Sequence, residues 1–92
     1  VKESVVELAL VREANKHGVM CLKFVSPSCA GVPDRILLAT GKVGFVELKR
    51  PGGKPTALQL RFASKLNALG IFYALADTPE KAKESLHNFL LT

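Results

Sequence analysis

Three residues could perform chemistry on a phosphate ester if the chain brought them together: Asp34, Glu47 and Lys49. Glu47 and Lys49 lie two apart in Val43-Gly-Phe-Val-Glu-Leu-Lys, which reads as a strand, so both point to one face while Val46 and Leu48 point to the other. Residues 35–40 read as the strand before it, and the pair forms a hairpin. A two-residue turn at Gly41-Lys42 would pair Asp34 with Lys49 and set it diagonal to Glu47. A turn one step earlier would place it directly opposite Glu47. Both registers put the three side chains on one face; an odd-length loop would not. Two neighbouring carboxylates repel each other. A hard divalent cation relieves that repulsion, and Mg²⁺ favours one or two carboxylates completed by waters and phosphate oxygens. A lysine beside them can stabilise developing negative charge or help to activate a water. The plainer alternative is a surface hairpin with a cross-face Glu–Lys pair.

Two further features bear on the same site. Glu3 and Glu7 fall on an otherwise apolar sector of the first helix, beside Leu10, Val11 and Ala14, where an unpaired acid is costly. A metal site would supply a partner, although acids also suit a helix N-terminus on electrostatic grounds alone. Which of the two acids serves the site stays open. Gln59 also has two readings. Thr56-Ala57-Leu58-Gln59 matches a capping box, in which the Gln59 side chain bonds back to the Thr56 N–H. Alternatively its amide faces the carboxylates.

The elements that must position these residues follow from patterning. Residues 2–17 read as a helix, with Gly18 suited to the left-handed position that ends it. Residues 19–25 read as a strand, and Ser26 to Pro33 as a loop punctuated by Pro27, Gly31 and Pro33. After the hairpin comes a second loop, Pro51-Gly-Gly-Lys-Pro55. A helix follows over 56–69, then a strand over 71–76. Thr78 with Pro79 opens a last helix to about Leu91. The order is α-β-β-β-α-β-α. The β-α-β step implies a right-handed crossover and a parallel strand pair, hence a mixed sheet flanked by helices.

Ninety-two residues, 48% hydrophobic, predict a single domain over residues 1–92. No apolar run approaches the roughly 20 residues that cross a bilayer, which excludes a membrane-spanning helix. The opening residues predict no signal peptide. Cys21 and Cys29 form neither a disulfide framework nor a zinc motif, which predicts a reducing compartment, the cytoplasm. The formal charge of +5 is local. From Asp34 to Lys65, seven bases (Arg35, Lys42, Lys49, Arg50, Lys54, Arg61, Lys65) outnumber Asp34 and Glu47 by five, and the remaining residues sum to zero. Such a segment suits a polyanion.

Ser26 to Arg35 with its GVPD run, Phe45 to Lys54 with its ELK run, and Thr56-Ala57-Leu58-Gln59 together resemble the VRR-NUC family, the virus-type replication-repair nucleases of the PD-(D/E)XK superfamily. Pro33-Asp34 supplies the PD half, and Glu47-Leu48-Lys49 the (D/E)XK half. The resemblance implies a restriction-endonuclease-like αβββαβ core with a C-terminal helix. It implies a Mg²⁺- or Mn²⁺-dependent DNA endonuclease. Asp34, Glu47 and the Leu48 carbonyl would be metal ligands, and Glu7 would join them directly or through waters. Lys49 would position or activate the attacking water, with Gln59 as an accessory residue. The family's stand-alone, phage-type members imply a homodimer acting on Holliday junctions or other branched DNA. Arg35, Lys42, Arg50, Lys54, Arg61 and Lys65 would grip phosphates, which positions a duplex without reading its bases. A non-catalytic basic α/β nucleic-acid-binding module is the rival reading, and it has no use for two acids and a lysine on one face. An RNA-directed relative is a third. It is disfavoured by the few aromatics, which lie mostly in apolar runs.

Overall fold

Val6, Leu10 and Ala14 recur at a helical spacing, and in the computed structural model, which describes residues 1–92, they form the buried stripe of α1 (Glu3–Lys16). Gly18, at φ +68°, ends the helix, and the Val19 N–H reaches back 3.0 Å to the Ala14 carbonyl. The chain continues through β1 (Met20–Lys23), β2 (Arg35–Ala39), β3 (Lys42–Leu48), α2 (Ala57–Ala68), β4 (Phe72–Ala76) and α3 (Pro79–Leu90). This is the expected order. The sheet runs β1-β2-β3-β4; the first two pairings are antiparallel, and β3–β4 is parallel across the α2 crossover.

The first strand is shorter than the 19–25 its residue types suggest. Its ladder runs out at a last bond from the Phe24 N–H to the Asp34 carbonyl, where the partner strand gives way to the loop that ends in Pro33. Beyond that point Val25 is exposed.

Side-chain alternation divides the sheet into two unlike faces. Leu37, Val46, Leu48 and Ala76 point to one face and pack against α1 and against Ala82, Leu86 and Phe89 of α3. Phe89 is fully buried, and truncation of such an aromatic costs about 3–5 kcal/mol. Phe45, Glu47 and Tyr73 point to the opposite face, where α2 lies and Gln59 touches Glu47. No helix is long and apolar enough to cross a membrane.

Candidate active site

The hairpin register decides the relation between the two central acids. Ala39 pairs with Lys42 and Arg35 with Val46, so the turn is Thr40-Gly41, and the register extended by one residue sets Asp34 opposite Glu47. Of the two registers open from sequence, this is the one in which the acids face directly. Asp34 is held by its own surroundings. Its Oδ2 accepts the Leu48 N–H at 2.9 Å, and its carbonyl accepts the Phe24 N–H. The loop before it is pinned by Gly31, at φ +83°. A Cβ there would stand 2.6 Å from the Leu58 backbone, so only glycine lets the loop lie against the first turn of α2. Pro33 is fully buried.

Glu47 is 1% exposed, an unusual place for a carboxyl group. Its Oε2 accepts the Gln59 Nε2–H at 3.0 Å and lies 3.5 Å from Lys49 Nζ. Its Oε1 is buried without a hydrogen-bond partner. Burial first, and the neighbouring Asp34 second, push the Glu47 pKa up to about 7, partly offset by Lys49. A buried oxygen lacking a donor, next to a second carboxylate, is a place where a cation lowers the free energy. The donor set is all oxygen, which suits a hard divalent ion.

Gln59 has both roles that the sequence left as alternatives. Its Oε1 accepts the Thr56 N–H at 2.8 Å, its backbone N–H donates to Thr56 Oγ1 at 3.2 Å, and its Nε2 donates to Glu47. One amide therefore caps α2 with its oxygen and fixes the carboxylate with its nitrogen. The cap sets the helix start, and through it the distance from α2 to β3.

Glu7 is partly buried and lines a cleft of about 270 Å³ together with Glu3 and Asp34. Its Oε2 accepts from Arg35 Nε at 2.9 Å, and Arg35 also donates to the Cys21 carbonyl. Arg35 points to the α1 side of the sheet because its parity is that of Leu37. It is thus engaged inside the fold rather than offered to a phosphate. Lys42 is engaged in the same way. Its Nζ donates to the carbonyls of Leu90 and Thr92, at 2.8 and 2.7 Å, and so caps the end of α3. The other four bases, Arg50, Lys54, Arg61 and Lys65, are exposed. Arg61 and Lys65, one turn apart on α2, line a hollow of about 250 Å³ with the Ser28-Cys29-Ala30 loop. The Leu48 side chain is in the core on the opposite face, and its main chain meets Asp34.

Two groups of residues were not singled out from sequence. Tyr73 shares the face of Glu47; burial, then the charges of Glu47 and Asp34, push its pKa up to about 12. Only the long-range β3–β4 pairing places it there. The second group is Glu13, His17 and His87, where α1 meets α3. The i, i+4 spacing of Glu13 and His17 was a visible signal, but the third member comes from the other end of the chain.

The fold is that of a VRR-NUC domain. A solved structure described as "VRR_NUC domain" matches with a TM-score of 0.86, over 97% of this chain and 98% of that one, at 22% identity, a likeness of fold. No protein-family model matches the chain. Among curated proteins, "Putative nuclease p44" of Acyrthosiphon pisum secondary endosymbiont phage 1 is 51% identical over 81 residues, 87% of each chain. The chain belongs to one family with this phage protein, and its fold is that of a VRR-NUC domain.

Proposed function

We propose that this protein is a divalent-metal-dependent DNA endonuclease. The observation that carries the reading is the buried Glu47 carboxyl group, with an unpartnered oxygen, opposite Asp34 and flanked by Lys49 and Gln59. A surface ion pair would not sit at 1% exposure, and a simple DNA-binding module gains nothing from burying that acid.

Asp34, Glu47 and the Leu48 carbonyl would hold Mg²⁺ or Mn²⁺, with Glu7 at the edge of the cleft it lines with Asp34. The ion, when bound, acts as a Lewis acid and lowers the pKa of a bound water. The chain's own groups do the rest. Lys49 Nζ, tethered by Glu47, presents a fixed positive charge and a donor to the attacking water and the scissile phosphate. Gln59 keeps the Glu47 carboxyl from rotating. Arg50, Lys54, Arg61 and Lys65 hold flanking phosphates, which fixes the register of the strand without reading its bases.

Branched DNA and a homodimer belong to the same proposal. No element resembles a base-reading helix in a major groove. The face of the sheet that α2 leaves uncovered exposes Met20, Leu22 and Val43, and α2 itself exposes Leu58 and Leu60. A second copy covering such apolar surface would set two sites against opposing strands of a junction. Action on DNA in a host cytoplasm follows from the same reading.

The decisive experiment is cleavage of supercoiled plasmid and of a four-way junction by wild type, Lys49→Ala and Asp34→Asn, with Mg²⁺ or with chelator. Wild type should cut only with the cation, and both variants should bind the junction without cutting it. Equal turnover in the variants, or cleavage in chelator, would overturn the reading. Sedimentation showing one chain, free and on the junction, would remove paired cutting and leave nicking.

A further inference from the structure

Glu13, His17 and His87 form a cluster that the nuclease reading does not use. Glu13 and His17 are four apart on α1 and share a face, and His87 reaches across from the last turn of α3. His87 Nε2 lies 2.7 Å from Glu13 Oε2, and His17 Nδ1 lies 3.9 Å from the same oxygen. Each residue offers one ligand atom, and all three atoms fall within 4.8 Å of one another. The two imidazoles meet edge to face at 4.9 Å between ring centres. Glu13 is buried at 8% exposure, while both imidazoles open to water and leave an ion a way in. The cluster lies on the side of the sheet that α1 and α3 cover. Glu13 is six residues beyond Glu7 on α1, about 9 Å along its axis, and the active-site carboxyl of Glu47 faces the other side.

We infer that Glu13, His17 and His87 bind one transition-metal ion of the zinc type, which staples α1 to α3. Zinc takes imidazole nitrogen and carboxylate oxygen at about 2.0–2.2 Å, which sets its ligands about 3.4 Å apart. That spacing lies between the 2.7 and 3.9 Å from Glu13 Oε2 to the two imidazoles, and no pair of ligand atoms is more than 4.8 Å apart, so side-chain rotations would complete the site. Two imidazoles with one carboxylate suit Zn²⁺, Co²⁺ or Ni²⁺, whereas Mg²⁺ prefers the all-oxygen set across the sheet. In the metal-free protein His17 Nδ1 is 3.0 Å from the Glu13 carbonyl, a contact that this nitrogen gives up when it ligates the ion. The competing cation is Lys16, 3.8 Å from Glu13 Oε1, and its side chain is 70% exposed and free to turn into water. Metal-free, the carboxylate is shared between His87 and Lys16, which together hold the Glu13 pKa below the ordinary carboxylate value. The same α1 carries Glu7, so the staple fixes the helix that reaches the cleft beside Asp34.

The test is titration of Asp34→Asn protein with Zn²⁺ by calorimetry and with Co²⁺ by visible absorption, near neutral pH, so that the active-site carboxylate pair is already broken. One ion per chain should bind. His17→Ala and His87→Ala, added singly, should each weaken Zn²⁺ by about tenfold or more and bleach the Co²⁺ bands. In the wild-type background both variants should keep Mg²⁺-dependent cleavage. Affinity unchanged in both histidine variants would place the ion elsewhere and overturn the inference. Absence of binding at sub-millimolar Zn²⁺ would also overturn it and leave an ion pair only. The outcome is separable from the nuclease reading, because an inactive protein can still bind the ion here.

Discussion

Glu47→Gln should make the metal-free protein more stable near pH 8, although it removes a central residue of the proposed site. The folded protein holds Glu47 at a pKa of about 7, against 4.5 for the free side chain. Below pH 4.5 the group is protonated in both folded and unfolded chains, and its burial carries no charge penalty. As pH rises from 4.5 to 7, unfolding releases a proton, so the stability contributed by the neutral carboxyl is lost progressively. At 1.36 kcal/mol per tenfold change in the proton equilibrium, the loss is about 2–3 kcal/mol. Glutamine keeps the shape, accepts from Gln59, and donates to Asp34 as the protonated acid does. At pH 8 in chelator the variant should therefore melt roughly 10 °C above wild type, with the gap closing towards pH 4.5. The His17 and His87 contributions are common to both proteins and cancel. Mg²⁺ should reverse the order in part. At ten times Kd it stabilises wild type by about 1.4 kcal/mol, with little effect on the variant. Thermal melts of both proteins across pH, with chelator or Mg²⁺, decide the matter. A variant no more stable than wild type at pH 8 in chelator would refute the reasoning, as would equal Mg²⁺ shifts in both proteins.

Gln59→Glu should keep the helix cap, since a carboxylate oxygen still accepts the Thr56 N–H, but it places a negative charge on Glu47; the Mg²⁺ dependence of cleavage should shift while the metal-free melting curve at low pH stays near wild type. Gly31→Ala should cost roughly 1–3 kcal/mol, read by urea unfolding, because the residue needs positive φ and its Cβ would overlap the Leu58 backbone; a neutral result would mean that the loop does not hold Asp34 as described. Arg61→Ala with Lys65→Ala should lower the slope of log K for duplex DNA against log salt by about 2, whereas Lys42→Ala should leave the slope unchanged and lower the melting temperature, because Lys42 is spent on the end of α3.

How much of this was legible in the chain follows physical range. Glu47 and Lys49 share a face because strand alternation is local, and the hairpin adds Asp34 because only a few turn lengths are open to Thr40-Gly41-Lys42. The order of elements, the Thr56 and Thr78 caps and the Gly18 terminus are also short-range, and they were readable for that reason. The VRR-NUC motifs were legible as spacing and residue type. Burial was not: sequence could not say that Glu47 lies at 1% exposure with an oxygen unpaired, because α2 and β4 build its surroundings from residues far along the chain. Nor could it separate Arg35 and Lys42 from the other bases. Charge is a property of the residue, but whether it meets solvent or Glu7 is set by the side of the sheet that α1 and α3 cover. Gln59 joins the two kinds of information. Its cap reads from four consecutive residues, while its bond to Glu47 exists only because the crossover lays the start of α2 over β3. The meeting of Glu13 and His17 with His87 is purely tertiary, since 70 residues separate His17 from His87 in the chain and only the packing of α1 on α3 brings them within reach.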